Sequence, residues 1–450
     1  MSAPTSLARR LNPSLLHSGE RLRGFAVDGL VPRLAVRPRT VEEVAQVLAL
    51  AHQEGAAVVP WGGGTRMDLG GIPRAYEVAL DLTGLHQPLE HSPANLTVRV
   101  GAGVTLEHLQ KVLGREGQFL PLDPPLPHRA TIGGTMASAT YGPLCAGYGL
   151  PRDLVIGMGV VHADGTRTKS GGQVVKNVTG FEMHRLYTGS LGTLAVITEA
   201  TFKVAPLPKE ERTVVAAFPS AEGAVGAGLE TVRIGLAPMA MEVLTDSAWA
   251  MVPAPATPLA PQGEKVFWLL VRFGGPPSAV ARQEREALAV CERFGVAGGA
   301  VEVLKGEQGR ALWRGVASWG WGEPYPPLGV RISCLPRQVV EVLQLLESGE
   351  QDRGTRPAVA IHASIGVVRV FWPVSPAGEN AQDVASALGR LRERVHGLGG
   401  RMVVERAPVE VKRLLDPWDV APETLGLHRA LKAQFDPKGV LNAGRFVGGI

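Results

Sequence analysis

Trp61-Gly-Gly-Gly-Thr-Arg-Met-Asp-Leu-Gly-Gly71 comes directly after the short apolar run Ala56-Ala-Val-Val-Pro60, so a buried strand empties into a glycine loop. Upstream, Thr40-Val-Glu-Glu-Val-Ala-Gln-Val-Leu-Ala-Leu-Ala-His-Gln-Glu-Gly55 predicts a helix. Val41, Val44, Ala45, Leu48 and Ala51 mark one apolar face, Thr40 and Glu43 have capping-box spacing, and Gly55 is a natural stop. Consecutive glycines let backbone N–H groups turn inward together, a nest suited to a phosphate or diphosphate. No Gly-Lys-Ser/Thr comes next, which argues against a nucleotide triphosphate site. Taken alone, such a loop is more often a plain turn.

Two further small-residue loops lie downstream: Thr131-Ile-Gly-Gly-Thr-Met-Ala-Ser-Ala-Thr-Tyr-Gly142 and Gly189-Ser-Leu-Gly-Thr193. Each could be tight packing between strands. Three within 130 residues, bracketed by βα units, favour one large shared ligand. Residues 96–100 read as a strand and 105–113 as a helix. The Gly101-Ala-Gly103 turn between them lacks the third glycine and the distal acidic residue of a dinucleotide fingerprint. Pro121-Leu-Asp-Pro-Pro-Leu-Pro127 forbids helix and favours a fixed, extended loop. Residues 154–162 and 167–169 flank Ala163-Asp-Gly165 as a hairpin, and residues 193–200 form an apolar strand.

Composition shifts near Pro206 and Pro208, where a domain boundary is placed. Beyond it strands at 265–273, 328–334, 359–371 and 401–405 alternate with helices at 279–294 and 338–346. A Pro/Ala-rich loop spans 251–261. The chain's 450 residues suggest two domains, and 45% hydrophobic with 20% charged residues is a globular composition. The net charge of +4 is scattered, and the eight Trp and five Tyr do not interleave with basic clusters, so nucleic acid is not an expected partner. Cys145, Cys291 and Cys334 are far apart, as expected of free thiols in a reducing, cytoplasmic compartment. No segment has signal-peptide or membrane-span character.

In order, VVPWGGGT, PLDPP, ATIGGTMAS, the ADGT hairpin with GGQVVKNVTGF, and GSLGTLAVITEATFKVAPLP resemble the vanillyl-alcohol-oxidase or PCMH-type FAD-linked oxidases. Within that family the pattern is most similar to the E subunit of glycolate oxidase, and Leu431-Lys-Ala-Gln-Phe-Asp-Pro-Lys-Gly-Val-Leu-Asn-Ala-Gly-Arg445 resembles the family's closing motif. The resemblance implies an α+β fold: a two-lobed FAD-binding domain and an α/β cap with an antiparallel sheet covering the flavin ring. Its expected limits are an N-terminal segment at 1–30, the FAD domain at 31–207, the cap at 208–424 and a returning C-terminal segment at 425–450.

Carried across, Pro60, Trp61, Gly62, Gly63, Gly64 and Thr65 would cradle the diphosphate. Pro125, Thr131, Gly133, Gly134, Ser138 and Gly142 would line the rest of the dinucleotide, and Ile197 would touch the flavin end. Some relatives tether FAD through a His or Cys in the glycine loop. Thr65 stands there in this chain, so the FAD is expected to be non-covalent. Catalytic relatives also carry a GDGNxH motif and a later Glu-His-Gly. This chain has Ala360-Ile-His-Ala-Ser-Ile-Gly-Val367 and no Glu-His-Gly, and no metal is expected.

Oxidising a 2-hydroxy acid needs a cation for the carboxylate, a base for the hydroxyl proton and a hydride acceptor. Arg331, Arg369 and Arg445 are candidates for the cation, Arg445 the best placed, and His362 is the base candidate or else an ordinary strand histidine. Lys176 and Asn177 either contact the cofactor or cap a turn; Trp313, Trp319 and Trp321 are expected to pack. The implied function is that of an FAD subunit working with a catalytic flavin subunit and an iron–sulfur subunit, peripheral to the inner membrane through those partners. A stand-alone hydroxy-acid dehydrogenase and a non-catalytic assembly subunit are the alternatives.

Overall fold

The computed structural model describes residues 3–173, 180–252, 265–296, 300–321, 326–348, 356–372 and 380–450. Lys176, Asn177 and most of the Pro/Ala-rich loop lie outside them. The chain divides into two compact units, one made of Met1–Tyr141, Leu150–Leu207 and Asp416–Ile450, the other of Gly142–Gly149 and Pro208–Leu415.

The first unit has three sheets, the smallest a two-residue pairing of Gln118–Phe119 with Ala205–Pro206. Strands Leu34–Val36, Val78–Asp81 and Val58–Trp61 lie parallel in that order. The helix Val41–Glu54 connects the two outer strands and buries Val44, Val47, Leu48, Leu50 and Ala51. Thr40 accepts from the Glu43 N–H as the capping box requires, while the Glu43 carboxylate reaches one residue further back, to the N–H of Arg39 at 2.6 Å. Strands Leu89–Ser92, Thr97–Gly101, Val196–Lys203, Val155–Val161 and Arg167–Gly171 form an antiparallel sheet in that order. Its last pair is the expected Asp-Gly hairpin, Val161 facing Arg167. The apolar strand starts at Val196 rather than 193, because Thr193 turns back to bond the Ser190 carbonyl through both its N–H and its hydroxyl.

In the second unit eight strands form one antiparallel sheet. Their order is Val301–Lys305, Glu210–Phe218, Phe267–Gly275, Ala240–Thr245, Ala358–His362, Val367–Trp372, Leu328–Ser333 and Arg401–Arg406. Successive side chains on a strand point to opposite faces. Met241, Val243, Ile361, Val368, Val370, Val330 and Ile332 join one apolar core with residues of the helices Ala221–Arg233, Pro277–Arg293, Val339–Ser348 and Ala381–Gly397. The alternate positions put Glu242, His362, Arg369, Arg331 and Glu405 on the other face. The single strand expected over 359–371 is a hairpin, because Gly366 takes a left-handed φ of 67° and a Cβ there would lie 2.0 Å from the Cys334 carbonyl oxygen. Among the described residues, no helix is long and apolar enough to cross a membrane.

Candidate functional site

The glycine loops of the first unit meet at one partly open cavity. Pro60, Trp61, Gly62, Gly63, Gly64, Thr65, Thr131, Gly133, Gly134, Ser138, Ile197 and Arg445 all line it. Pro125 does not, and Gly142 belongs to the second unit. The Pro-rich loop expected at 121–127 contributes nothing to the lining, which passes from Ala102 to Thr131. Leu191, Gly192, Met67 and Asn442 also line it; they lie within the quoted motifs but are not among the residues expected to touch the cofactor.

The missing side chains have a packing cause. A Cβ on Gly63 would stand 1.7 Å from the Arg129 carbonyl oxygen, and one on Gly62 would stand 2.4 Å from Thr131 Oγ1. The glycine loop and the Thr131 loop therefore touch through bare backbone, and Arg129 Nη2 donates to the Gly63 carbonyl at 3.3 Å. Among the described residues, the amides of Gly63, Gly64 and Thr65 have no protein acceptor. Packing and ligand binding, set against each other as readings of these glycines, are both served by them.

The C-terminal segment ties the loops together. The Gly71 N–H donates to the Arg445 carbonyl, the Arg74 N–H to that of Ala443, the Val58 N–H to that of Val440 and the Asn442 N–H to that of Val58. Asn442 Nδ2 donates to the Leu191 carbonyl at 2.6 Å. Lys432 Nζ, buried under this knot, donates to the carbonyls of Thr193 and Leu441 and to Asp436 Oδ2, at 2.8, 2.8 and 2.6 Å. Asp436 in turn accepts from the N–H groups of Val440 and Leu441. Burial pulls the Lys432 amine below its ordinary value, opposed by Asp436.

Arg445, expected to hold a substrate carboxylate, is 3% exposed, and its Nη2 donates to the carbonyls of Met67 and Leu69. It pins the chain just beyond the glycine loop. Desolvation lowers its pKa, opposed by Asp28, Tyr76 and Asp68. On the cavity wall, Arg445 Nε and Asn442 Oδ1 are buried with no hydrogen-bond partner among the described residues. Unmade hydrogen bonds of buried groups are costly, so unpartnered amides and side-chain atoms around one cavity fit a polar ligand such as FAD.

The other candidates belong to the second unit. His362 Nδ1 lies 2.5 Å from Glu242 Oε1, both buried on neighbouring strands. Glu242 has no sequence signal, because it meets His362 only through the strand register. Arg331 donates to Glu405 Oε1 at 3.0 Å and to Ser333 Oγ at 3.2 Å, so its guanidinium already serves a carboxylate. Arg369 is its cross-strand neighbour. Trp313 donates to Thr213 Oγ1, and Trp319 and Trp321 pack edge-on against Phe371. Among the described residues no group of three or more His, Cys, Asp or Glu could hold a metal ion.

Residues 32–171 match the FAD binding domain family, and residues 207–446 match the FAD linked oxidases, C-terminal domain. The chain is 27% identical to glycolate oxidase subunit GlcD of Bacillus subtilis, with 92% of this chain and 89% of that protein covered. It is 28% identical to D-lactate dehydrogenase of Archaeoglobus fulgidus (92% and 91% covered) and 27% identical to D-2-hydroxyglutarate dehydrogenase of Xanthomonas citri (92% and 89%). The glycolate oxidase relatives are thus D subunits, where the motifs suggest the E subunit. The fold is that of alkyldihydroxyacetonephosphate synthase, TM-score 0.74 at 17% identity over 99% of this chain and 86% of the other.

Proposed function

The chain belongs to the FAD linked oxidases and carries their FAD binding domain; from that premise we propose that it oxidises a small 2-hydroxy acid, glycolate to glyoxylate, as one subunit of a glycolate-oxidase-like complex. The observation that carries this reading is the cavity of converging loops, whose amides at Gly63, Gly64 and Thr65 have no acceptor of their own. Those amides would hold the diphosphate of FAD, which when bound supplies the hydride acceptor. Thr65 after the glycines, where some relatives carry a tethering His or Cys, supports a cofactor held without a covalent bond.

His362 is the base of the reaction and Glu242 its positioning partner. A carboxylate at Nδ1 keeps the proton on that nitrogen and leaves Nε2 basic, ready to take the hydroxyl proton as hydride leaves the carbon. Arg331, Arg369 and Arg445 remain the candidates for the cation that holds the substrate carboxylate, Arg331 being paired with Glu405. The relatives' names support the hydroxy-acid class. The absence of a metal-holding group among the described residues favours the E-type subunit, working with a catalytic flavin subunit. With three isolated cysteines, an iron–sulfur cluster would sit on a further partner, and peripheral association with the inner membrane would come through these partners.

Purifying the chain alone and adding glycolate or D-lactate anaerobically tests the proposal. A yellow protein that bleaches only when its partners are present is the expected result. Bleaching of the chain alone would make it a stand-alone dehydrogenase. Colourless protein would leave only an assembly role.

A further inference from the structure

Residues 9–39 hold seven arginines against two acids, Glu20 and Asp28, in a chain whose net charge is only +4. Part of that excess is used within the fold: Arg10 pairs with Glu54, and Arg37 lies 3.8 Å from Asp81. Arg21, Arg23 and Arg33 are exposed, and among the described residues no ion pair reaches any of them. Asp28 does not offset them, because it is half-buried and its charge acts on the buried Arg445.

Local packing explains why these side chains face outward. The turn Gly19–Phe25 sends Leu22 and Phe25 inward, onto the cluster of Val27, Ala35, Val59, Tyr76 and Ala79, and leaves Arg21 and Arg23 outside. Val27 and Leu30 then exchange backbone hydrogen bonds, both 2.9 Å, around a two-residue turn whose Asp28 and Gly29 have φ of 47° and 81°. Val27 and Pro32 are buried, while Leu30 and Val31 between them are 39% and 46% exposed. Arg33 comes next, its N–H donating to the Glu77 carbonyl just ahead of the strand Leu34–Val36. The crest of a fixed turn is thus apolar, and three unpaired guanidiniums flank it.

One exposed aliphatic residue needs no explanation. Two together, beside cations without acids, suit a surface that offers anions and hydrocarbon in that order. An acidic protein face would satisfy the arginines but set charge against Leu30 and Val31. An anionic bilayer has phosphates outside, which a guanidinium fork matches, and acyl chains directly beneath. We propose that the Leu30–Val31 turn, with Arg21, Arg23 and Arg33, is a docking surface for anionic phospholipid. Among the described residues no helix can cross a membrane, so the contact is peripheral, and with two apolar residues it is reversible and governed by charge. The chain then reaches the bilayer by its own surface, whatever its partners and substrate.

Sedimentation of the full-length protein with vesicles provides the test. The probes are vesicles of equal parts phosphatidylglycerol and phosphatidylcholine, and vesicles of phosphatidylcholine alone. Wild type should sediment with the first and stay in solution with the second, and salt should release it. Replacing Arg21, Arg23 and Arg33 together by Gln should weaken binding about 100-fold, and Leu30→Ser with Val31→Ser about 10-fold. All five positions are exposed, and retention of the wild-type melting temperature shows that each variant is folded. Wild type that ignores the anionic vesicles, or binds both kinds equally, overturns the proposal. Undiminished binding by the Gln variant does the same. If the Ser variant binds as wild type does, charge alone is acting, as it would toward an acidic protein, and the lipid assignment falls.

Discussion

The two units build their interiors from opposite materials. The first makes a ligand-shaped space out of backbone: glycines pack loop against loop, amides are left over, and a C-terminal segment fastens the loops with main-chain carbonyls. The second places charged side chains on one face of a continuous sheet and matches them in pairs, Glu242 with His362 and Arg331 with Glu405. Backbone sites tolerate few changes of volume. Side-chain sites tolerate volume but few changes of charge.

The sharpest way to break that contrast is to remove a buried charge on which the backbone site depends. Lys432→Met leaves Asp436 buried and unpaired and frees two carbonyls, and should cost about 3–5 kcal/mol, read by thermal unfolding. A loss no larger than a surface substitution would mean that the C-terminal segment does not fasten the loops. Next in size, Gly63→Ala forces a methyl group onto the Arg129 carbonyl and should cost about 1–3 kcal/mol together with most of the bound flavin. Gly114→Ala is the counterpart: nothing lies within 4 Å of its Cβ, so flavin content should hold and stability should rise by up to about 1 kcal/mol. Equal flavin loss in both variants would erase the packing argument.

In the second unit Glu242→Gln keeps volume and removes charge, at a cost of about 1–3 kcal/mol. Flavin affinity should stay unchanged while turnover falls about 10-fold or more, because His362 loses the carboxylate that orients its ring. Unchanged turnover would reduce the pair to a structural role.

The smallest effects are those of pH, and they run in opposite directions. In the first unit burial holds the pKa values of His162 and His184 below 6.5. The folded unit then binds fewer protons than its unfolded chain, so stability is full above 6.5 and is lost as pH falls below it. In the second unit burial pushes the thiols of Cys291 and Cys334 up from 9.0 to about 12 and about 11. The fold keeps protons that the unfolded chain releases, so stability declines as pH rises above 9.0. Urea unfolding across pH, following each unit by a local probe, should give those opposite slopes; parallel slopes would refute the assignment.

Legibility in the sequence divides along the same line. The helix from Val41, the strand before Trp61 and the Asp-Gly hairpin are readable because period and turn chemistry are local. The loops' convergence is readable only from their number, because each alone would pass for a turn. What escapes depends on contacts between distant positions. Glu242 meets His362 through register alone, and Lys432 looks like any lysine on a mostly exposed helix. The sequence brings Arg445 to the right cavity, but which of its nitrogens are already taken depends on where Met67 and Leu69 point their carbonyls.

Val58 pairs with Leu441 as a parallel bridge, joining a strand near the start of the chain to a residue close to the last one described. During synthesis the first unit therefore cannot be finished until the ribosome has made the whole eight-stranded sheet and most of the C-terminal segment beyond it. The order of manufacture makes loading with flavin a late event, so a truncated product should emerge colourless even with every glycine of its three loops in place.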